Sequence, residues 1–261
     1  MVDAARLFVA VGWYSYKALF IWLTPTGYVM SKVAVPLLQI TVFTLLAHSL
    51  GLDPGRRVIG NAVQSAALNG VFGTMMSLHG ERNFHTLAFL IASPASRLVT
   101  FGGRILAHVV DGMIGILLGL TFGVVVFGLD LSHANRVGTP LAFAITVVAI
   151  SGLGLLLGSA ALVTRDILLL GNVAYWTLVA LCGVNFPVDQ LPAPLRVVAH
   201  ALPLTRGLQA VRLLLAGGSL AQAAPLLGGE LLVGAVYYTI AYVAFQVIER
   251  VAARRAVLEL D

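Results

Sequence analysis

The chain has 261 residues, of which 59% are hydrophobic and only 10% are charged, and its mean hydropathy is +0.95. Soluble domains carry about 25% charged residues, so this composition excludes an ordinary soluble domain and predicts an all-α polytopic membrane protein. A net charge of +5 would suggest a nucleic-acid partner in a soluble protein, but the basic residues here mostly flank apolar runs. We interpret them as residues that orient membrane helices and expect no nucleic-acid partner.

The first segment, residues 3–24, mixes aromatic and basic side chains with apolar ones, among them Trp13, Tyr14, Lys17 and Trp22. This mixture is typical of an amphipathic helix that lies in the headgroup layer of a membrane. A membrane-spanning signal anchor is the alternative. We expect no cleavable signal sequence, because the first apolar stretch is not followed by a small-residue cleavage site and a soluble domain.

Six apolar stretches follow, and each is long enough for a membrane helix. They cover about residues 28–50, 58–79, 101–128, 139–163, 167–186 and 229–248, so we interpret residues 1–261 as a single transmembrane domain. Lys32, near the start of the first stretch, is expected to extend its ammonium group to the membrane surface. Both termini and residues 80–97 would lie on one side, which carries the larger number of basic residues and is therefore predicted to be cytoplasmic.

Residues 80–97, between the second and third stretches, form an amphipathic segment. We predict a short helix that begins at Gly80-Glu81-Arg82, because a helix N-terminus favours a negative charge, and that ends at Ser93-Pro94. Its apolar side would include Phe84 and Leu87. Such a helix is too short to cross a bilayer, so we expect it to lie at the surface, available to a soluble partner.

Prolines interrupt the apolar stretch 187–226. Its helical pieces, about 193–202 and 204–216, are too short to span a bilayer. We expect a re-entrant hairpin or an interfacial segment that packs against protein. Glu230 follows at the start of the last span, where it would favour that helix's N-terminus.

The third span carries Arg104, His108 and Asp111, whose spacing places them along one helix face. Charges inside a span are costly, so a functional interpretation makes them part of a translocation or proton path. The alternative is a network within the helix that neutralises its own members. The pairs Gly115/Gly119 and Gly154/Gly158 permit close helix packing and are compatible with a seam between two chains.

Several kinds of chemistry have no support in the sequence. The only lysines are Lys17 and Lys32 and neither follows a glycine, so there is no phosphate-cradling loop and ATP would have to be bound, with Mg²⁺, by another polypeptide. The histidines are scattered without cysteine partners, which predicts no metal site. We expect no catalytic residue and no cofactor bound by this chain, and we interpret the single cysteine, Cys182, as a small buried hydrophobic residue.

Two ordered motifs carry a family resemblance. The first comprises Gly80-Glu81-Arg82, Thr86-Leu87, Ala92-Ser93-Pro94 and Arg97, and the second runs from Asn185-Phe186-Pro187 through Leu191-Pro192 to Ala201-Leu202-Pro203-Leu204-Thr205 and Ala210-Val211-Arg212. Together they resemble the permease subunit of type-2 ABC exporters, the group that includes drug, polysaccharide and nodulation-factor exporters. The resemblance covers nearly the whole chain.

The resemblance implies a specific role for each segment. The N-terminal helix would lie on the cytoplasmic surface, and the 80–97 segment would be a coupling helix that docks on an ABC ATP-binding subunit. Its coupling residues would be Gly80, Glu81, Arg82, Phe84, His85, Thr86, Leu87, Ser93, Pro94 and Arg97. Short re-entrant helices at the external face would be marked by Pro187, Leu191, Pro192 and Pro203.

The resemblance also implies a setting: a bacterial plasma membrane, contact with lipid, cytoplasmic termini and a second permease chain, identical or homologous. The cargo would be an amphipathic drug-like or lipid-like molecule, or a saccharide. Two other classes remain open: an ion- or proton-coupled secondary transporter that uses Arg104, His108 and Asp111 as a relay, and a membrane scaffold that transports nothing.

Overall fold

The computed structural model describes residues 6, 10, 12–14, 25–83, 97–161, 164 and 166–258. Most of the predicted interfacial segment 3–24 and the middle of the 80–97 segment lie outside these residues. Within the described part of the chain every regular element is helical, which confirms the all-α prediction. The helices are α1 (Pro25–Val29), α2 (Val35–Ser49), α3 (Pro54–Ala67), α4 (Thr74–Asn83), α5 (Arg97–Phe127), α6 (Gly138–Ala161), α7 (Ile167–Leu181), α8 (Ala193–Ala201), α9 (Thr205–Leu215) and α10 (Leu220–Leu258).

Two π-helical segments interrupt the first half of the fold. Met30–Ala34 joins α1 to α2, and Leu68–Gly73 joins α3 to α4. A π turn bonds residue i to residue i+5 and is rare, occurring mostly as a single turn inside an α-helix. The helical path therefore continues through both segments without a loop.

Four helical stretches in the described residues are long and apolar enough to cross a membrane: Met30–Ser49, Ile105–Phe127, Gly138–Ala160 and Leu220–Ile248. They coincide with the first, third, fourth and sixth predicted spans. The second predicted span lies within α3, the π segment and α4, which are more polar. The fifth lies in α7, whose 15 residues are fewer than the roughly 20 that span a bilayer. A total of six spans stays a prediction.

The last helix begins earlier than predicted, at Leu220 rather than near residue 229. The Ser219 Oγ accepts a hydrogen bond from the backbone N–H of Gln222 (3.3 Å), and the Gln222 Oε1 accepts one from the backbone N–H of Ser219 (2.9 Å). This reciprocal pair is a capping box, which fixes a helix start. The apolar pattern alone does not reveal this start, because Pro225 and three alanines weaken the pattern in the first turns.

Close contacts at glycines give the directions of the helices. A β-carbon on Gly119 would lie 2.9 Å from that of Ala62, and one on Gly112 would lie 2.7 Å from Val147. A β-carbon on Gly123, further along α5, would overlap the side chain of Val58 near the start of α3, so α5 runs antiparallel to α3. Gly154 and then Gly158 of α6 lie against Gly70 and then Met75, so α6 runs parallel to the continuous path of α3, the second π segment and α4, which we call the α3–α4 path. The helix α6 also packs along α10. One end of the bundle, which we call the α8–α9 end, holds the connections 50–53, 128–137 and 182–219. The other, the 84–96 end, holds the connection between α4 and α5.

The glycine pairs that were compatible with a seam between chains pack inside this chain instead. Gly154 lies so close to the backbone of Gly70 that a β-carbon would overlap its carbonyl oxygen, and Gly158 faces Met75. Gly115 faces Asn69, and Gly119 meets α3 as described above. That interpretation is therefore wrong, because the small residues bring α5 and α6 against the α3–α4 path.

The apolar core lies between α3, α5, α6 and α9, and it includes Val58, Ile116, Ile150 and Leu208. Cys182 is 1% exposed and belongs to this core, which confirms its interpretation as a buried hydrophobic residue. The outer faces of α2, α7 and α10 expose large apolar side chains, among them Leu38, Leu169 and Leu232. Continuous apolar surfaces of this kind mark contact with a membrane or another protein.

Candidate functional site

Four of the predicted coupling residues are described, and they lie at the 84–96 end of the bundle. Gly80, Glu81 and Arg82 are in the last turn of α4, and Arg97 begins α5. The prediction that a new helix begins at Gly80 is wrong: α4 continues to Asn83, because nothing in Gly-Glu-Arg interrupts a helix already formed. Glu81 consequently lies inside α4 and not at the start of a new helix. Six of the predicted coupling residues lie outside the described residues: Phe84, His85, Thr86, Leu87, Ser93 and Pro94.

A charged cluster lies between the two π segments and α5. The Nζ of Lys32, in the first π segment, is 3.4 Å from the Oδ2 of Asp111 on α5, and it also donates a hydrogen bond to the Oδ1 of Asn69 in the second π segment. The Nδ2 of Asn69 in turn donates to the backbone oxygen of Asp111 (3.1 Å). The ammonium and carboxylate groups thus neutralise each other inside the bundle, and the Asn69 amide links the ammonium group to the backbone of Asp111.

This cluster changes the interpretation of the predicted intramembrane network. His108 and Asp111 are both buried, at 2% and 1% exposure, and the His108 ring lies against Gly73. Arg104 lies in α5, but the structure does not describe the position of its side chain. Among the described side chains, Asp111 forms an ion pair with Lys32, which lies on another helix. The expectation that Lys32 extends to the membrane surface is wrong, because pairing with Asp111 lowers the cost of burying either charge.

A second buried polar path links α2, α3 and α7. The hydroxyl of Tyr175 donates to the Oε1 of Gln39 (2.7 Å), and the Nε2 of Gln39 donates to the Oδ1 of Asn61 (3.0 Å). The Nδ2 of Asn61 donates to the Oδ1 of Asn185, 2.8 Å away in the connection after α7. These side chains satisfy one another's hydrogen-bonding capacity in the interior, as buried polar groups require.

The helices α8 and α9 confirm the two short helical pieces expected in the proline-broken stretch. Pro187 precedes the 3₁₀ turn Val188–Gln190, and Leu191 and Pro192 lie in extended backbone between that turn and α8. Pro203 is buried between α8 and α9, and its carbonyl oxygen accepts a hydrogen bond from the Cys182 Sγ (3.7 Å). The prolines therefore mark the breaks between helices.

Glu230 occupies a different position from the one expected. It lies within α10, is fully buried, and its carboxylate accepts hydrogen bonds from the backbone N–H groups of Leu204 and Gly207. Those groups belong to the first turn of α9, so Glu230 caps the N-terminus of α9 rather than that of its own helix. The principle that a negative charge favours a helix N-terminus holds, but the helix is another one.

Three arginines meet at the α8–α9 end. The Nη1 of Arg212 donates to the carbonyl oxygen of Gly183 (2.8 Å), and its Nη2 donates to those of Val184 and Arg56 (3.0 Å each). Arg57 is 8% exposed, and its Nη1 donates to the carbonyl oxygen of Asp53 (3.1 Å). Burial first, and then the nearby charges of Arg56 and Arg57, lower the pKa of Arg212 to about 9, so its guanidinium is charged at neutral pH.

Long apolar helices, a charged pair buried between them and outward apolar faces define a multi-pass membrane protein. Residues 6–215 match the family described as ABC-2 type transporter. Because this match covers most of the chain, the protein belongs to the ABC-2 type transporter family, and it is a membrane permease of the ABC class. A comparison with curated proteins finds no match.

Proposed function

We propose that this chain is the membrane-spanning permease subunit of an ATP-driven ABC exporter. The observation that carries the proposal is the match to the ABC-2 type transporter family over residues 6–215, a family that in general works with an ABC ATP-binding partner. The absence of a Gly-Lys-Ser/Thr loop from the sequence supports a separate polypeptide as the site of ATP and Mg²⁺ binding. A second permease chain, identical or homologous, completes the proposed complex.

The coupling route in this proposal begins at the 84–96 end. The ATP-binding subunit docks on residues 80–97, which connect α4 to α5. A displacement of this connection moves both helices that flank it. The helix α4 continues into the π segment that contains Asn69, and α5 carries Asp111. Movement of the docking segment therefore acts on the Lys32–Asn69–Asp111 cluster through two rigid helices.

The cargo in this proposal is an amphipathic drug-like or lipid-like molecule, or a saccharide, that leaves the cytoplasm or the inner leaflet. The large exposed apolar faces of the helices support contact with lipid. The proposed setting is a bacterial plasma membrane, with the termini and the 84–96 end in the cytoplasm. The α8–α9 end is then external.

Co-purification with a nucleotide-binding protein tests the proposal. The tagged chain is purified from native membranes, and retained proteins are identified by mass spectrometry. We expect a P-loop ATPase to be retained, and we expect Glu81→Ala and Phe84→Asp to reduce that retention. The substitution Arg136→Ala, in an exposed connection at the opposite end of the bundle, is the matched control and should leave retention unchanged.

An ion-coupled secondary transporter is the competing function, and the buried Lys32–Asp111 pair is the observation that favours it. Transport in membrane vesicles separates the two. An ATP-driven exporter loses transport when ATP is withdrawn and keeps it when an uncoupler collapses the proton gradient. Transport that continues without any ATPase but stops with the uncoupler would overturn the proposed function.

A further inference from the structure

The arginines at the α8–α9 end carry more positive charge than the protein around them balances. Asp53, Arg56, Arg57 and Arg212 lie close enough to interact electrostatically. No carboxylate of the described residues lies within 4.0 Å of any of the three guanidinium groups. The ion pair in the described part of the chain joins Lys32 to Asp111, away from these arginines. Three guanidinium groups thus face a single nearby carboxylate, that of Asp53.

The burial of these groups makes the imbalance costly. Arg57 is 8% exposed, and a buried charge is normally compensated by a counter-charge. The Nε atoms of Arg56 and Arg212 are buried and have no hydrogen-bond partner within the described residues. Each is a donor that neither the protein nor open solvent satisfies.

The backbone around the three arginines adds further positive charge. The helix α3 begins at Pro54, directly beside the arginines, and a helix N-terminus carries partial positive charge. Arg212 holds the connection after α7 against α3, where Gly60 lets its Nη2 approach closely: a β-carbon at that position would be 2.8 Å from it. The three hydrogen bonds of Arg212 to carbonyl oxygens therefore fix its guanidinium without neutralising it.

We propose that Arg56, Arg57 and Arg212 form a binding site for an anionic group of the phosphate type. Guanidinium groups suit phosphate because they are planar, remain charged and donate several hydrogen bonds in a fixed geometry. The phosphate belongs either to a phospholipid headgroup in the leaflet at this end or to free inorganic phosphate. This site does not depend on ATP, on the direction of transport or on the identity of the cargo.

Binding measurements on the purified full chain test the site. After delipidation in a non-ionic detergent, native mass spectrometry measures the binding of phosphatidylglycerol and, separately, of zwitterionic phosphatidylcholine. Thermal unfolding with added inorganic phosphate forms the second arm, with sodium chloride at equal ionic strength as its reference. We expect phosphatidylglycerol to bind in preference to phosphatidylcholine. Binding in the lipid arm alone identifies a headgroup, and stabilisation by phosphate as well identifies a general phosphate site.

Arg56→Gln is the informative variant, because the hydrogen bond with Arg212 uses only the backbone oxygen of Arg56. We expect it to weaken binding roughly tenfold or more, as loss of a hydrogen bond to a charged group does. Arg136→Gln, an exposed arginine at the same end, is the matched control and should have no effect. Equal binding of the two lipids together with no stabilisation by phosphate, or equal losses in the two variants, would overturn the proposal.

Discussion

The carboxylate of Glu230, within the last membrane helix, accepts a hydrogen bond of 2.9 Å from the backbone N–H of Gly207 in the first turn of α9. The same carboxylate accepts a bond from the N–H of Leu204, a buried non-glycine residue with a positive φ of 96°. Such a φ is uncommon for leucine and persists only where the surroundings hold it. Glu230 thus fastens the start of α9 to α10.

Glu230→Ala is expected to destabilise the protein, because it leaves the N–H groups of Leu204 and Gly207 buried without partners, at about 1–3 kcal/mol for each. Glu230→Gln keeps an acceptor and should cost less. Unfolding by sodium dodecyl sulfate measures both changes. Gln222→Ala removes an exposed cap on the same helix and should have a smaller effect. Equal stability of the wild type and Glu230→Ala would contradict this role.

Cys182 provides a probe of the connection between α8 and α9. It is 1% exposed and its Sγ contacts the carbonyl oxygen of Pro203, immediately before Leu204. We expect a maleimide to leave the native wild type unlabelled and to label it fully after denaturation. In Glu230→Ala the labelling rate under native conditions should rise, since a loosened connection between α8 and α9 uncovers the thiol, whereas Gln222→Ala should stay unlabelled. Rapid labelling of the native wild type would show that the thiol is accessible.

The Lys32–Asp111 pair predicts a pattern of non-additive stability effects. Lys32→Met should destabilise by about 3–5 kcal/mol, because removing one partner of a buried pair leaves the other charge uncompensated. The double variant Lys32→Met/Asp111→Leu should be less destabilised than the sum of the single variants. A double-mutant cycle in detergent unfolding measures the coupling. Ser31→Ala, whose hydroxyl donates to the carbonyl oxygen of Gly27 four residues before it, serves as the neighbouring control, and strict additivity would contradict the pairing.

The contact between α6 and the α3–α4 path predicts a severe effect of one added methyl group. Gly154→Ala places a β-carbon against the carbonyl oxygen of Gly70, and overpacking of this kind costs about 1–3 kcal/mol. Gly228→Ala is the matched control: a β-carbon there meets nothing within 4 Å, and alanine favours a helix more than glycine does. Thermal unfolding should show a lower midpoint for the first variant only.

Much of the fold could be predicted because its signals are local. Long apolar runs indicate four of the membrane helices, and the prolines divide residues 187–226 into pieces that form α8 and α9. The start of α10 was predictable as well, since the Ser219-x-x-Gln222 capping box stands in the sequence and outweighs the interruption at Pro225.

The candidate site was harder to predict because it depends on contacts between distant residues. The spacing of Arg104, His108 and Asp111 indicates one helix face but cannot reveal that Lys32 lies opposite. Glu230 was assigned correctly to a helix N-terminus but to the wrong helix, because tertiary packing decides which backbone N–H groups a buried carboxylate reaches. The predicted helix start at Gly80 is wrong because the residues Gly-Glu-Arg can either begin a helix or continue one, and here they continue α4.

The two π segments have a consequence for the sequence register of the first two helical paths. An α-helix turns by about 100° per residue, since it has 3.6 residues per turn, and a π turn accommodates an additional residue. Residues after Met30–Ala34 or Leu68–Gly73 therefore point in directions different from those that an uninterrupted α-helix would give them. Deleting one residue from either segment would restore a regular α-helix with its flanking turns in phase, but it would change the position of each residue within the segment and move Lys32 or Asn69 out of alignment. Homologous chains that keep this cluster should consequently tolerate substitutions in these segments far better than length changes.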